Sequence, residues 1–236
     1  LLRKQYRSVK SLALLTGRFA YNDQIEPQRN DYCNMDIPKG ALPIFQQPLS
    51  FVRFPITEHH WHASEPTPYI TDLEKLRGSN YNIYSALIVV EFLRHLFAKY
   101  REEENHTGLK VGIITPYVGQ KLLLKEIIEK DGLSRNCGLE VEVNTVHQFQ
   151  GDEFDVVILV LNPPNANMNP ANGIMINKFY LMNVATSRAK DCLVVLYPDN
   201  SCKALQNFWY VNKNSDKDNL ENIATQIFGK SVESMT

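Results

Sequence analysis

Apolar and polar positions fall into two textures along the chain. From about residue 22 to 78, Pro27, Pro38, Pro43, Pro48, Pro55, Pro66 and Pro68 interrupt the pattern. Proline lacks an amide donor and clashes with the preceding helical turn, so long helices are not expected there. Within this region, residues 50–56 (SFVRFPI) alternate well enough for a strand. From Asn80 the pattern becomes regular. Residues 81–100 place Leu87, Val90, Phe92, Leu93, Leu96 and Phe97 at helical spacing with no Gly or Pro, which predicts a long helix. Residues 110–115 (KVGIIT) then read as a strand, 117–130 as a helix, and 140–143 as a strand leading into a turn around His147. Residues 155–161 (DVVILVL) are β-branched without polar alternation, the texture of a strand buried on both faces. A short helix over 178–188, a second buried strand over 192–197, and helices at about 201–211 and 218–228 complete the pattern.

Strands alternating with helices, the strands continuously apolar, predict an α/β fold: a parallel sheet flanked by helices. In such sheets ligands sit at the carboxyl ends of the strands, which directs attention to the loops there. With 236 residues, the chain forms one large domain or two small ones. Apolar residues make up 44% and charged residues 22%, which excludes a disordered polar chain, a collagen-like repeat and a coiled coil. The balance of 25 Lys+Arg against 26 Asp+Glu gives a net charge of −1, so nucleic acid would be gripped locally and not by bulk positive charge. Cys33, Cys137, Cys192 and Cys202 are scattered without a CxxC pair, which suits a reduced, intracellular protein with no zinc site. The opening LLRKQYR lacks the features of a signal peptide, and the longest apolar run, near 156–161, is too short to span a bilayer. The first residue is not Met, so a piece of a longer chain is expected.

Three stretches hold candidate chemistry. In 143–156 (VNTVHQFQGDEFDV), Gly151 lets backbone approach a ligand closely, Thr145, His147 and Gln150 supply uncharged polar groups, and Glu153 is an acid at the sheet edge. Alone, this is equally a polar turn before a strand. In 180–190 (YLMNVATSRAK), Arg188 ends a short helix, where an arginine ordinarily offsets the helix dipole. Gln5-Tyr6-Arg7 alone says little.

Taken in order and approximate spacing, QYR (5–7), GIITPYVGQ (112–120), VNTVHQFQGDEFDVVIL (143–159) and LMNVATSRAK (181–190) resemble the second RecA-like domain of superfamily 1 helicases. The 1B group, which includes the helicases of nonsense-mediated decay, is the nearest in pattern. The resemblance covers residues 1–200, with 201–236 left as a C-terminal helical extension. It implies a RecA-like, P-loop NTPase-type sheet without its own P-loop. It also implies ATP and Mg2+ held mainly by the first RecA-like domain of the same protein, a single-stranded DNA or RNA partner, and no ATPase activity by this chain alone. Matched residue by residue, Arg7 and Arg188 would be arginine fingers, since a planar, permanently charged guanidinium is bidentate to phosphate. Gln5, Gln150, Gly151 and Glu153 would border the nucleotide. Thr115, Tyr117, Thr145 and His147 would lie near the single strand, with Tyr117 able to stack on a base. Two departures stand out. Ser85 replaces the acid of an N-x-x-E-A run at Asn82–Ala86, and residues 162–177 are Asn- and Pro-rich where an Arg-bearing segment is usual.

Several patterns fail on context. Residues 224–231 (ATQIFGKS) fit a permissive P-loop pattern but lack the strand before it and the full helix after it. The acids at 152–155 precede their apolar strand, whereas a Walker B acid follows one. His59-His60-Trp61-His62 has no accompanying ligand set, so no metal site is expected. Asn105-His106-Thr107 is an idle glycosylation pattern in an intracellular protein, and residues 101–104 read as a solvated helix end. The alternative function is a non-enzymatic RecA-like module that binds a protein or nucleic acid, told apart by whether a Walker A domain lies upstream in the parent gene.

Overall fold

All seven residues of strand β6 (Phe154–Val160) are buried. It lies at the centre of a five-stranded sheet, ordered β3 (Leu49–Phe54), β7 (Ala189–Pro198), β6, β4 (Leu109–Thr115) and β5 (Leu139–Thr145). Every neighbouring pair is parallel. This is the helix-flanked parallel architecture expected of a RecA-like domain. Edge strand β5 (LEVEVNT) instead exposes Glu140 and half-exposes Glu142, as a strand with one free side does. The computed structural model describes residues 3–21, 24–31, 37–38, 40–54, 79, 81–102, 108–133, 139–149, 151–161, 183–184, 186–198, 210–213 and 216–219. The sequence patterns at 59–62, 105–107, 162–177 and 224–231 lie outside those residues.

Helices α2 (Ile83–Glu102) and α3 (Val118–Lys130) close one face of the sheet. Val89, Leu93 and Leu96 of α2, with Leu123 and Ile127 of α3, share a core with Val111, Ile113, Val156, Ile158 and Val194 of the strands. Each such side chain contributes about 1.5–3 kcal/mol of burial.

The start of α2 explains the departure at Ser85. Asn82 caps the helix, its Oδ1 accepting the Ser85 amide at 2.8 Å. In a capping box an acid three residues on reaches back to the cap's own amide. Ser85 is too short for that. The Asn82 amide instead donates to Oε1 of Gln120 on α3, at 2.7 Å. Gln120 Nε2 in turn donates to the Asn82 carbonyl and to Ser85 Oγ, each at 3.2 Å. Gln120 and Ser85 are both fully buried, so the missing acid is replaced by a side chain that ties the two helices together.

The connection from β5 to β6 returns across β4, and its described residues, 146–149 and 151–153, form no helix. Its anchors are Phe149 and Phe154, both buried, with rings edge to face at 4.8 Å. A Cβ on Gly112 of β4 would lie 2.6 Å from the Phe154 ring, so only glycine lets the ring lie over that strand.

Elements expected at 50–56, 81–100, 110–115, 117–130, 140–143, 155–161 and 192–197 are present with slightly shifted ends. Two findings differ from the sequence reading. Helix α1 (Lys10–Ala20) buries Leu12, Ala13 and Leu15 and contacts β7, while the short strands β1 (Lys4–Gln5) and β2 (Glu26–Pro27) pair in parallel around it. Where helices were expected at 201–211 and 218–228, β8 (Tyr210–Lys213) and β9 (Asp216–Asn219) form an antiparallel hairpin. The Asn-, Asp- and Ser-rich run between Asn212 and Asp218 disfavours a helix and suits a turn. The remainder of both segments lies outside the described residues. Among the described residues no helix is long and apolar enough to cross a membrane.

Candidate functional site

Arg7, Glu153 and Arg188, far apart in sequence, meet at one end of the sheet. Glu153 immediately precedes β6 and Arg188 immediately precedes β7, whose first residues Phe154 and Ala189 are register partners. The Phe154 amide donates to the Arg188 carbonyl at 3.0 Å, which brings the two strand starts together. Arg7 follows β1 and reaches the same place. Its Nε lies 2.6 Å from Glu153 Oε1, and its NH1 donates to the Ser187 carbonyl at 3.4 Å.

Arg188 ends a helical turn at residues 183, 184 and 186. Its Nε donates to the Val184 carbonyl at 3.2 Å, which is the ordinary capping role of an arginine at a helix end. Its other nitrogens reach onward, NH1 to the Asp152 carbonyl at 3.2 Å and NH2 to Ser187 Oγ at 3.1 Å. Burial and then the positive charge of Arg7 lower the affinity of Arg188 for its proton, while Glu153, Asp152 and Tyr21 oppose the shift. A guanidinium stays charged regardless. Two cations thus lie within electrostatic reach of each other, with the Glu153 and Asp152 carboxylates beside them.

The Arg7–Glu153 pair is half-exposed, with side chains 37% and 41% accessible. Such a pair is worth about 0–1 kcal/mol and is exchanged easily for another anion. Glycine at 151 has φ of 107°, and nothing lies within 4 Å of where its Cβ would be. Backbone there is open to close approach, as its sequence position suggested. Gln5 Oε1 accepts the Ser8 amide at 3.3 Å and so shapes the turn that carries Arg7. Gln150 lies outside the described residues.

The remaining expected residues lie at the opposite end. Thr115 and Thr145 are register partners that end β4 and β5. Thr115 is level with the end of β6, six residues beyond Phe154, which separates the two ends by about 20 Å. Their side chains do not line a surface. Thr115 is 0%, Thr145 6% and Tyr117 8% exposed, which corrects the expectation that the Tyr117 ring is available for stacking. Burial has a local cause: Thr115 Oγ1 accepts the Tyr117 amide at 3.5 Å, and Thr145 Oγ1 donates to Gln148 Oε1 at 3.2 Å, so both hydroxyls close turns. His147 and Gln148 are exposed, beside Val118 and Leu122 on the first turns of α3. The two arginines therefore gather at the amino ends of strands, not at the carboxyl ends where the general rule pointed.

Asp155 is consumed internally, accepting the Lys110 amide at 2.8 Å and pairing with Lys190 at 2.5 Å, so the 152–155 acids form no cation site. Among the described residues no cluster suits a metal ion. Sequence reading missed three neighbours of the arginines. Tyr21, 47% exposed, lies near Arg188. Arg29 and Asp191 pair at 2.5 Å beneath Arg7. No motif marks these three; Asp191 is distinguished only as an acid at the start of an apolar strand.

Known proteins resemble this chain. A family model described as an AAA domain matches residues 1–199. The ATP-dependent helicase NAM7 of Saccharomyces cerevisiae is 38% identical over 88 residues, 37% of this chain and 9% of that protein. The human DNA replication ATP-dependent helicase/nuclease DNA2 is 30% identical over 208 residues, 83% of this chain and 18% of that protein. The chain thus spans less than a fifth of the length of these relatives. The crystal structure of the C-terminal domain of a possible DNA helicase from Lactobacillus plantarum WCFS1 aligns over 82% of this chain and 87% of that one, at 17% identity and a TM-score of 0.40.

Proposed function

The chain belongs to the AAA domain family, alongside ATP-dependent helicases, and from that premise we propose that it is the second, C-terminal motor domain of a superfamily 1 helicase. ATP and Mg2+ are held mainly by the first RecA-like domain of the same protein, and this chain completes the site. Arg7 and Arg188 are the arginine fingers. Gln5, Gln150, Gly151 and Glu153 border the nucleotide, and the opposite end of the sheet lies along single-stranded DNA or RNA. There the exposed His147 and Gln148 make the contact, with Thr115, Tyr117 and Thr145 shaping the turns beneath them.

The single observation that carries the reading is the convergence of Arg7 and Arg188 beside Glu153 at the amino ends of β6 and β7. Transfer of the terminal phosphoryl group to water spreads negative charge over its oxygens, and preplaced guanidinium groups stabilise that charge. Arg7 resting on a half-exposed carboxylate is held ready at little cost, and a phosphate displaces that carboxylate. The residues at this end fit the outer edge of a nucleotide, and among the described residues none forms a glycine-rich loop to cradle its phosphates, so turnover by this chain is expected to need the first RecA-like domain. The work is done inside the cell.

One set of assays tests this. The purified chain should hydrolyse no ATP, the full-length protein should hydrolyse it, and Arg7→Ala or Arg188→Ala in full length should lower kcat by roughly 10³-fold. Sustained turnover by the chain alone, or full activity of the Arg188→Ala protein, would sink the proposal. Inactivity of a full-length protein with an intact Walker A would instead favour a binding module.

A further inference from the structure

Beneath the half-exposed Arg7 head lies a second, less exposed arginine. Arg29 follows β2, and its guanidinium joins two acceptors from different segments. NH2 lies 2.5 Å from Asp191 Oδ1, with the two side chains 22% and 6% accessible. NH1 donates to the backbone carbonyl of Arg7. The segment after β1 is further stitched to the start of β7 step by step. Arg7 bonds the Ser187 carbonyl at 3.4 Å. Ser8 Oγ donates to the Ala189 carbonyl at 2.7 Å, and the Val9 amide donates to the Lys190 carbonyl at 2.8 Å. Arg29 and Asp191 close this ladder at the next position.

A buried ion pair is weak grounds for net stability, because desolvation offsets most of the attraction. Burial pushes the Asp191 carboxyl upward even with Arg29 beside it. What such a pair does supply is geometry. The rigid fork of a guanidinium fixes the angle between its two acceptors, which a lysine, a single point charge on a flexible stem, does not. Arg188 is indexed to β7 covalently, three residues before Asp191. Arg7 has no such link except through this contact set.

We propose that Arg29 and Asp191 are positioning residues, which hold the Arg7 backbone in register with Arg188 so that both guanidinium groups face one phosphate. The inference rests on the reading of Arg7 as an arginine finger. It adds a division of labour: the backbone of Arg7 is clamped by Arg29 on the buried Asp191 while its head stays free to exchange Glu153 for a phosphate.

Arg29→Lys is the informative variant, since it keeps the charge beside Asp191 and loses the bridge. In the full 236-residue chain, NMR should show loss of the resolved Arg7 Nε–Hε cross-peak, while the amides of β4–β6 stay in place. In the full-length protein kcat for ATP should fall by roughly 10²-fold, the scale of a small misplacement, with KM unchanged. The double variant Arg7→Ala/Arg29→Lys should be no slower than Arg7→Ala alone. A retained Arg7 cross-peak, or losses that multiply in the double variant, would overturn the proposal. If Arg7→Ala leaves the ATPase intact, the arginine-finger reading falls, and the cross-peak alone decides whether Arg29 holds Arg7.

Discussion

Burial decides what each charged or polar side chain does here. The Arg7 head, paired with Glu153 in partial solvent, is exchangeable, whereas Arg29 on Asp191 is fixed. Gln120 works in the same way as Arg29 without charge, by accepting the Asn82 amide at the start of α2. Gln120→Leu keeps the volume and leaves the buried Asn82 amide without that acceptor, so thermal or urea unfolding should show a loss of about 1–3 kcal/mol. Unchanged stability would mean the α2–α3 tie is idle. Arg7, Glu153 and Arg188 were legible because each belongs to an ordered set of motifs. Arg29 and Asp191 were not, because 162 positions separate them and nothing local marks the pairing. The inward placement of Thr115, Tyr117 and Thr145 was also hidden, since a hydroxyl that closes a turn reads in sequence like one that meets a ligand.

Among the elements, the β5–β6 connection carries the most constraint. Phe154, which begins β6 after this connection, packs where only glycine at 112 leaves room for its ring. Gly112→Ala should destabilise the chain by about 1–3 kcal/mol through overpacking, and adding Phe154→Leu should return part of it. A change below about 0.5 kcal/mol, typical of an exposed site, would show that the ring does not lie there. Strands and helices of the sheet were legible from their periods: β6 is a run of apolar residues after Asp155, and α2 repeats its buried positions every three or four residues. Helix α1 was not, because Thr16 and Gly17 interrupt its apolar stripe, although Leu12 and Leu15 bury against the rest of the fold. The hairpin at 210–219 lacked the alternation that marks a strand, and a helix was expected in its place.

Across the whole molecule, a net charge of −1 conceals a divided surface. One end of the sheet gathers two arginines around a carboxylate, and the other, about 20 Å away, presents His147, Gln148 and the exposed Val118 and Leu122 of α3. A domain of this kind needs no basic surface if its cations act on a nucleotide and its strand contacts are few. Binding at the first end and grip at the second would be joined by the rigid sheet and by the short crossover between β5 and β6. The central claim is that Arg7 and Arg188 act on the terminal phosphate. The most direct measurement is a crystal structure of the full-length protein with ADP and aluminium fluoride, which mimics the phosphoryl group in transfer. Guanidinium nitrogens of both arginines are expected within about 3 Å of the fluorides, with Arg7 released from Glu153. A closed structure in which Arg7 still rests on Glu153 and Arg188 on the Asp152 carbonyl, neither touching the fluorides, would contradict it.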